Sequence, residues 1–302
     1  MTNTSLRYSK TEYIHPPHGF CPGCSVVLAL RYFLKVMGHK IVLVMPPGCA
    51  SPSVIRPQRS LRHHGELIDI LPCPFGSTAF ISAGVKASLI ARNDHETHVV
   101  GWAGDGATFD IGFGAVSAAA ERNDDIIYVC YDNEAYMNTG NQRSSATMWG
   151  AKTATNPPPD KKNEYKKDIM WIMMGHDIPY AATATIAYPD DLMAKVLKAK
   201  SMSGFRFLHI LTPCVPGWGF NPNLTVRISK LAVQTRIFPL YECEPGPVIT
   251  INKNPKPKQI NEFLELQGRF KHLTIEDKER LAPAVEQRWE RLRYLAEYRR
   301  RN

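Results

Sequence analysis

Two stretches, IIYVCY at 126–131 and FLHIL at 207–211, are apolar continuously rather than alternately. A strand buried on both faces reads this way, and such strands belong to parallel sheets covered by helices on either side. Around them, strand and helix signals alternate. SVVLALRYFLKVM has helical spacing and stops at Gly38, IVLVM is a short strand before Pro46-Pro47-Gly48, and STAFISAGVKASLIAR is a helix rich in small residues. THVVGWAGDG and YAATATIA continue the strand series; IGFGAVSAAAERN, KKDIMWIMMGHD and PDDLMAKVLKAKS continue the helices. The pattern predicts a doubly wound, mostly parallel α/β domain over residues 15–241, preceded by an N-terminal extension over 1–14. Beyond Tyr241 the chain becomes Pro- and Lys-rich, and residues 242–302 are expected to form an extended arm and a basic helix that contact other subunits.

No run approaches the roughly 20 uncharged apolar residues of a membrane helix. The polar start MTNTSLRYSKTEYIHPPHG lacks the apolar centre of a secretory signal, so a reducing, cytoplasmic setting is expected. There, structural disulfides are disfavoured, and the seven cysteines point toward metal or redox use. The net charge of +9 admits an anionic partner. The terminal RRRN is read as a grip on a partner subunit, and nucleic acid is not expected.

The segment GWAGDGATFD is the most informative. Gly104-Asp105-Gly106 follows one strand and opens a helix, while Asp132-Asn133 closes the next strand, so both lie at carboxyl ends of a parallel sheet, where ligands bind. Glycines there admit a phosphate to backbone N–H groups, and Asp105 and Asn133 offer the hard oxygen ligands that Mg²⁺ prefers. It is neither a Walker motif nor the dinucleotide fingerprint. Taken alone, it also fits an ordinary strand-turn-helix with an Asp N-cap.

Four cysteines share a second pattern. Cys21 and Cys24 form CPGC, while Cys49 in PPGCASP and Cys214 in LTPCVPGWG each follow an apolar strand in a Pro/Gly loop. The thiolates of Cys49 and Cys214 would gather at the same sheet edge as the GDG. Four thiolates suit a cubane cluster or a tetrahedral zinc ion, and spacing alone leaves both open. Cys130 reads as core, Cys73 as packing or as a neighbour of a ligand, and Cys243 has no evident task. His63, His64, His176 and His209 read as structural, and His18 as a hydrogen-bonding neighbour of the cysteines.

With DNEAYMNTGNQRSS at 132–145, the pattern resembles the β subunit of the 2-oxoacid:ferredoxin oxidoreductases, the pyruvate synthase type in particular, from about His18 to Tyr241. The resemblance implies thiamine diphosphate on a thiamine-binding fold. Mg²⁺ would be held by Asp105, the Asn133 side chain and the Ala135 carbonyl. Gly104 and Gly106 would line the diphosphate, and Phe75 and Gly76, with Cys49, would lie against the cofactor. Asn138 and Thr139 would sit beside the thiazolium and the substrate. It also implies a [4Fe-4S] cluster on Cys21, Cys24, Cys49 and Cys214 that takes electrons singly toward ferredoxin. The glutamate that activates the aminopyrimidine would come from a partner α subunit, and further subunits would carry additional clusters. The expected reaction is oxidative decarboxylation of a 2-oxoacid, pyruvate first. PPGCASPS lacks the acidic residue that many pyruvate-type β subunits carry after this cysteine, and Arg143 could meet a second carboxylate, so an oxalate-oxidising relative without a coenzyme A step is the alternative. A zinc-stabilised binding subunit is the more distant one.

Overall fold

The computed structural model describes residues 10–55, 61–63, 66–246 and 248–298. Most of the N-terminal extension, His64 and the RRRN run lie outside the described residues. The main sheet has strands β1 (Ile41–Met45), β2 (Asp69–Pro72), β3 (His98–Gly104), β4 (Ile126–Asp132), β5 (Tyr180–Thr185), β6 (Phe205–Leu211), β7 (Tyr241–Glu244) and β8 (Val248–Ile251). Their order is β8-β7-β5-β6-β4-β3-β1-β2. The six strands from β5 to β2 are parallel, and β7 and β8 join antiparallel beyond β5.

Each residue of β4 and of β6 is buried, as their continuous apolar runs require. One face is covered by α1 (Ser25–Met37), whose buried Val26, Ala29, Leu30, Phe33 and Leu34 follow helical spacing. Phe33 packs edge-on against Trp102 at 5.3 Å; truncating so enclosed a ring to alanine typically costs about 3–5 kcal/mol. α2 (Ala50–Ile55) follows the loop after β1. The other face carries α3 (Thr78–Ala91), α4 (Phe113–Glu121) and α5 (Ile169–Gly175). α6 (Pro189–Ser201) packs beside α1, opening with Pro189 and two aspartates and closing with Lys198 and Lys200, the charge order its dipole favours. α7 (Thr225–Gln234) and α8 (Ile275–Tyr298) complete the described helices of seven or more residues outside the GDG region.

Two expectations change. The chain after the GDG does not enter an α-helix directly: Gly106–Asp110 is a π-helical turn, closed by Ile111 N–H to the Gly106 carbonyl at 3.2 Å, and α4 starts only at Phe113. Thr108 Oγ1 donates to the Gly104 carbonyl at 2.8 Å and holds this wide turn against the strand end. Second, residues 241–251 are not a free arm. They form the antiparallel hairpin β7–β8 at the sheet edge, so the boundary expected at Tyr241 falls inside the domain, because alternate residues such as Cys243 and Ile249 are buried beneath α8.

The order β2-β1-β3 places the loops after β1 and β3 on either side of a topological switch point, where open parallel sheets bind ligands.

Candidate active site

The loops after β1, β3 and β4 enclose a cavity of about 310 Å³. Gly104, Asp105 and Gly106 line it from β3, Gly48 and Cys49 from β1, and Asn133, Ala135, Asn138 and Thr139 from β4. Phe75 reaches it from the loop after β2 and lies 5.9 Å from the Tyr136 ring. Gly76 does not line it; with φ at 88° it turns behind Phe75 against the Ile111 backbone. Gly106 is required sterically, since a Cβ there would stand 2.6 Å from the Tyr136 ring.

Asp105 and Asn133 are both buried, at 1% and 3% exposure. The end of the Asn133 carboxamide lies 2.8 Å from the Ala135 carbonyl oxygen and 3.0 Å from Asp105 Oδ1. Turned one way, its NH₂ donates to both; turned the other, three oxygens converge. Two oxygens at right angles around Mg²⁺, each about 2.0–2.1 Å away, stand about 2.9 Å apart, so this spacing fits a six-coordinate cation. Asp105 does not cap a helix: its Oδ2 accepts from Ser144 Oγ at 2.5 Å. Burial and then the charge of Asp132 push the Asp105 carboxyl above its usual range, and the Ser144 bond opposes them.

Behind the cavity lies a charged network. Asp132 accepts from the Glu134 N–H at 2.9 Å, from His209 Nε2 at 2.7 Å and from Lys166. Lys166 also reaches Glu134 at 2.9 Å, and Arg269 reaches the other Glu134 oxygen at 2.6 Å. Burial works against Asp132 as an anion, but Lys166 and His209 outweigh it and hold the carboxyl below the ordinary range. Glu134 sits at φ 65°, a left-handed turn that directs the chain from Asn133 to Ala135.

The four cysteines line one adjoining cavity of about 390 Å³. Cys21 to Cys24 is a hydrogen-bonded turn, Cys24 N–H to the Cys21 carbonyl at 3.1 Å, with Gly23 at φ 71°. Burial pushes the Cys49 thiol up to about 12 and the Cys214 thiol up to about 11, with charge on the other cysteines adding to both. Cys49, Asn133, Met137 and Asn138 line both cavities. Trp218, four residues past Cys214, donates its indole N–H to the Asn133 carbonyl at 2.8 Å and braces the two sites together. Among the described residues, no three His, Cys, Asp or Glu side chains are gathered closely enough to hold a metal ion by themselves.

The remaining candidates separate. His18 packs edge-on against Phe20 and does not line the cysteine cavity. Cys73 is buried with its Sγ 3.7 Å from Thr78 Oγ1, and Cys130 is fully buried in β4. His209 is structural in part, through Asp132. Arg143 pairs with Glu164 at 3.0 Å and does not line the ligand cavity, whose lining holds neither a cation nor a glutamate. Sequence reasoning missed Ser144, Thr147, Lys166 and Arg269. Ser144 and Thr147 follow the NTG motif closely enough to have been suspected, whereas Lys166 and Arg269 carry no local signal.

Comparisons with known proteins point to one family. Residues 61–210 match the family described as thiamine pyrophosphate enzyme, C-terminal TPP binding domain. The ketoisovalerate oxidoreductase subunit VorB of Pyrococcus furiosus is 44% identical over 95% of this chain and 94% of its own. The pyruvate synthase subunit PorB of Methanocaldococcus jannaschii is 40% identical over 94% of this chain and 97% of its own. Among solved structures, the 2-oxoglutarate:ferredoxin oxidoreductase from Magnetococcus marinus superposes on 74% of this chain and 72% of its own with a TM-score of 0.56 at 23% identity, a likeness of fold.

Proposed function

We propose, for a chain that belongs to the β subunits of the 2-oxoacid:ferredoxin oxidoreductases, that it holds thiamine diphosphate with Mg²⁺ in the first cavity and a [4Fe-4S] cluster in the second. The observation that carries this reading is the shared wall: Cys49, Asn133, Met137 and Asn138 face both cavities, so an electron acceptor would lie directly beside the reacting carbon.

The residues fit each group. Asp105, Asn133 and the Ala135 carbonyl offer three oxygens for Mg²⁺, the two separations from the Asn133 side chain being of octahedral size, and Gly104 and Gly106 leave room for the diphosphate. Cys21, Cys24, Cys49 and Cys214 supply four thiols on one cavity, and beside a thiamine site an electron-accepting cluster has a use that a structural zinc ion does not. When bound, thiamine diphosphate supplies a carbanion nucleophile and an electron sink, and the cluster supplies a one-electron acceptor. The chain's own part is placement. Asn138 and Thr139 lie beside the substrate, and Phe75 and Tyr136 form an apolar wall.

The substrate is a 2-oxoacid with a small apolar group, pyruvate in the first place and a branched 2-oxoacid in the second, since relatives of both names match this chain. The cavity lining in this chain holds no cation, so a positive charge for the second carboxylate of oxalate would have to come from another subunit. Because that lining also holds no glutamate, a partner α subunit completes the site, and further subunits pass electrons to ferredoxin.

The test is anaerobic purification of the assembled complex with analysis of iron, sulfide, zinc, magnesium and thiamine. Low-potential viologen reduction is then followed with pyruvate, 3-methyl-2-oxobutanoate and oxalate. Cys24→Ala is expected to lose one cluster's share of iron and sulfide relative to the parent complex while retaining thiamine diphosphate. Unchanged iron and sulfide in Cys24→Ala, or a loss of zinc in their place, would overturn the cluster assignment, and turnover of oxalate alone would overturn the substrate.

A further inference from the structure

A third cavity, of about 570 Å³, lies beneath α8, between that helix, α5 and the turn Arg236–Phe238. It is distinct from the two cavities above: none of its lining residues is shared with either. Its size is in the range of roughly 300–1,000 Å³ occupied by small-molecule ligands.

The lining has three unlike parts. The floor is polar and unsatisfied. His209 is 3% exposed, and its Nε2 faces the Asp132 carboxylate at 2.7 Å, so Nε2 carries the proton and Nδ1 is left as an acceptor. That Nδ1 has no partner, and neither does the buried Oδ1 of Asp168, a second acceptor on the same cavity. The walls are aromatic, with Phe238, Trp171 and Trp149. One side is cationic. Arg288 and Arg291 stand three residues apart on one face of α8; Arg288 is tied to Asp168 at 3.2 Å, but Arg291 has no carboxylate partner among the described residues and lies 4.2 Å over the Trp171 ring. A guanidinium stacked on an indole keeps its N–H edge available for a second, anionic contact.

We propose that this cavity is a second ligand site, for a phosphorylated heteroaromatic molecule of the nucleotide class. Ring amino or ribose hydroxyl groups donate to His209 Nδ1 and Asp168 Oδ1, the planar ring lies among Trp171 and Phe238, and the phosphate meets Arg291 and Arg288. An apolar ligand would leave the two acceptors unpaired, and a simple phosphate would leave the aromatic walls empty, so a molecule with both parts fits best. The site does not depend on the identity of the groups in the thiamine and cysteine cavities.

The experiment uses the assembled complex saturated with thiamine diphosphate and magnesium, so that the diphosphate cradle is filled. Titration calorimetry with ADP as the probe is compared with pyrophosphate and with adenosine. ADP is expected to bind about tenfold or more tightly than either fragment. Arg291→Glu, an exposed position whose change leaves the core intact, is expected to weaken ADP by about tenfold or more with thiamine diphosphate affinity unchanged. Trp171→Leu is expected to weaken ADP and adenosine, and pyrophosphate as well through the loss of the ring on which Arg291 stacks. Absence of ADP binding at about 1 mM, equal affinities for ADP and pyrophosphate, or an unchanged affinity in Arg291→Glu would each overturn the proposal.

Discussion

Ser144 offers the sharpest test of the proposed Mg²⁺ ligands. Its hydroxyl donates to Asp105 Oδ2 at 2.5 Å, and both residues are 1% exposed, so no water can take over the bond. The same hydroxyl accepts from the Ala146 N–H at 3.2 Å, and Thr147 next to it donates to the Glu134 carbonyl at 2.5 Å. One short segment therefore fixes both strand ends that supply oxygens. A hydrogen bond to a charged group is worth about 1.5–3 kcal/mol. Loss of a residue that orients a metal ligand costs about 10–100-fold in affinity, or about 1.4–2.8 kcal/mol. The two routes agree, so Ser144→Ala should weaken Mg²⁺ by about 10–100-fold. The assay is magnesium titration of the complex at fixed thiamine diphosphate, followed by tryptophan fluorescence or calorimetry. The stranded Ala146 N–H should lower stability separately, by about 1 kcal/mol, and denaturant melting without magnesium reads that effect alone. Ser145→Ala is the control, since that side chain makes no contact with Asp105. A magnesium affinity in Ser144→Ala within about twofold of the parent would refute the reasoning.

Further outcomes follow from the same geometry. Gly106→Ala drives a methyl to within 2.6 Å of Tyr136; overpacking of this kind costs about 1–3 kcal/mol, and thiamine diphosphate binding should fall with it. Gly106→Ala combined with Tyr136→Ala should recover much of the stability in a double-mutant cycle, and simple additivity would count against the clash. Lys166→Met removes the cation shared by the buried Asp132 and Glu134, which keep only His209 and Arg269 as side-chain partners, so urea unfolding should show a loss of about 1.5–3 kcal/mol. His98, His209 and His272 are all held below the ordinary histidine range, each chiefly by burial. The unfolded chain gains these protons near pH 6.5 while the fold resists them, so stability should fall as pH drops through and below that value. In Asp105→Asn, which removes the opposing contribution of that raised carboxyl, a denaturation midpoint that rises on acidification from pH 7 to pH 5.5 would contradict this sign.

What was legible in the sequence is what hydrophobic pattern encodes. Five of the six parallel strands and α1, α3, α5 and α6 lie close to the stretches chosen for them, because a strand such as Ile126–Asp132 advertises burial on both faces through its residues alone, whereas the short, largely exposed edge strand Asp69–Pro72 carries no such run and was missed. The wide turn at Gly106–Asp110 was not legible, because it is imposed by Tyr136, thirty residues downstream, and by the Thr108 bond to Gly104. The β7–β8 hairpin was hidden by its Pro and Lys neighbours, and only the alternation in YECE and VITI could have disclosed it. At the site, the glycines and small polar groups lining the first cavity stood in recognisable motifs. The residues that hold those motifs in place did not.

That division has a physical cause in the stretch 133–168, which crosses the face of the site without an α-helix or a strand before Ile169. A segment with no repeating backbone ladder must satisfy its polar groups one at a time, and here buried charge does much of this. Lys166 ties Asp132 to Glu134, and Arg269, stacked 3.5 Å over Trp218, ties Glu134 to the element that carries Cys214. Each pairing joins residues 32 to 135 positions apart, so no local window contains both partners. Their combined effect is to fix the path from Asp132 through Ala135 from behind, leaving the Asn133 side chain and the Ala135 carbonyl to face forward. Rigid support of this kind suits a cation site better than apolar packing would. Mg²⁺, the proposed occupant, tolerates little deviation from octahedral geometry, so a loop that is to hold it would need to keep its position before the ion arrives.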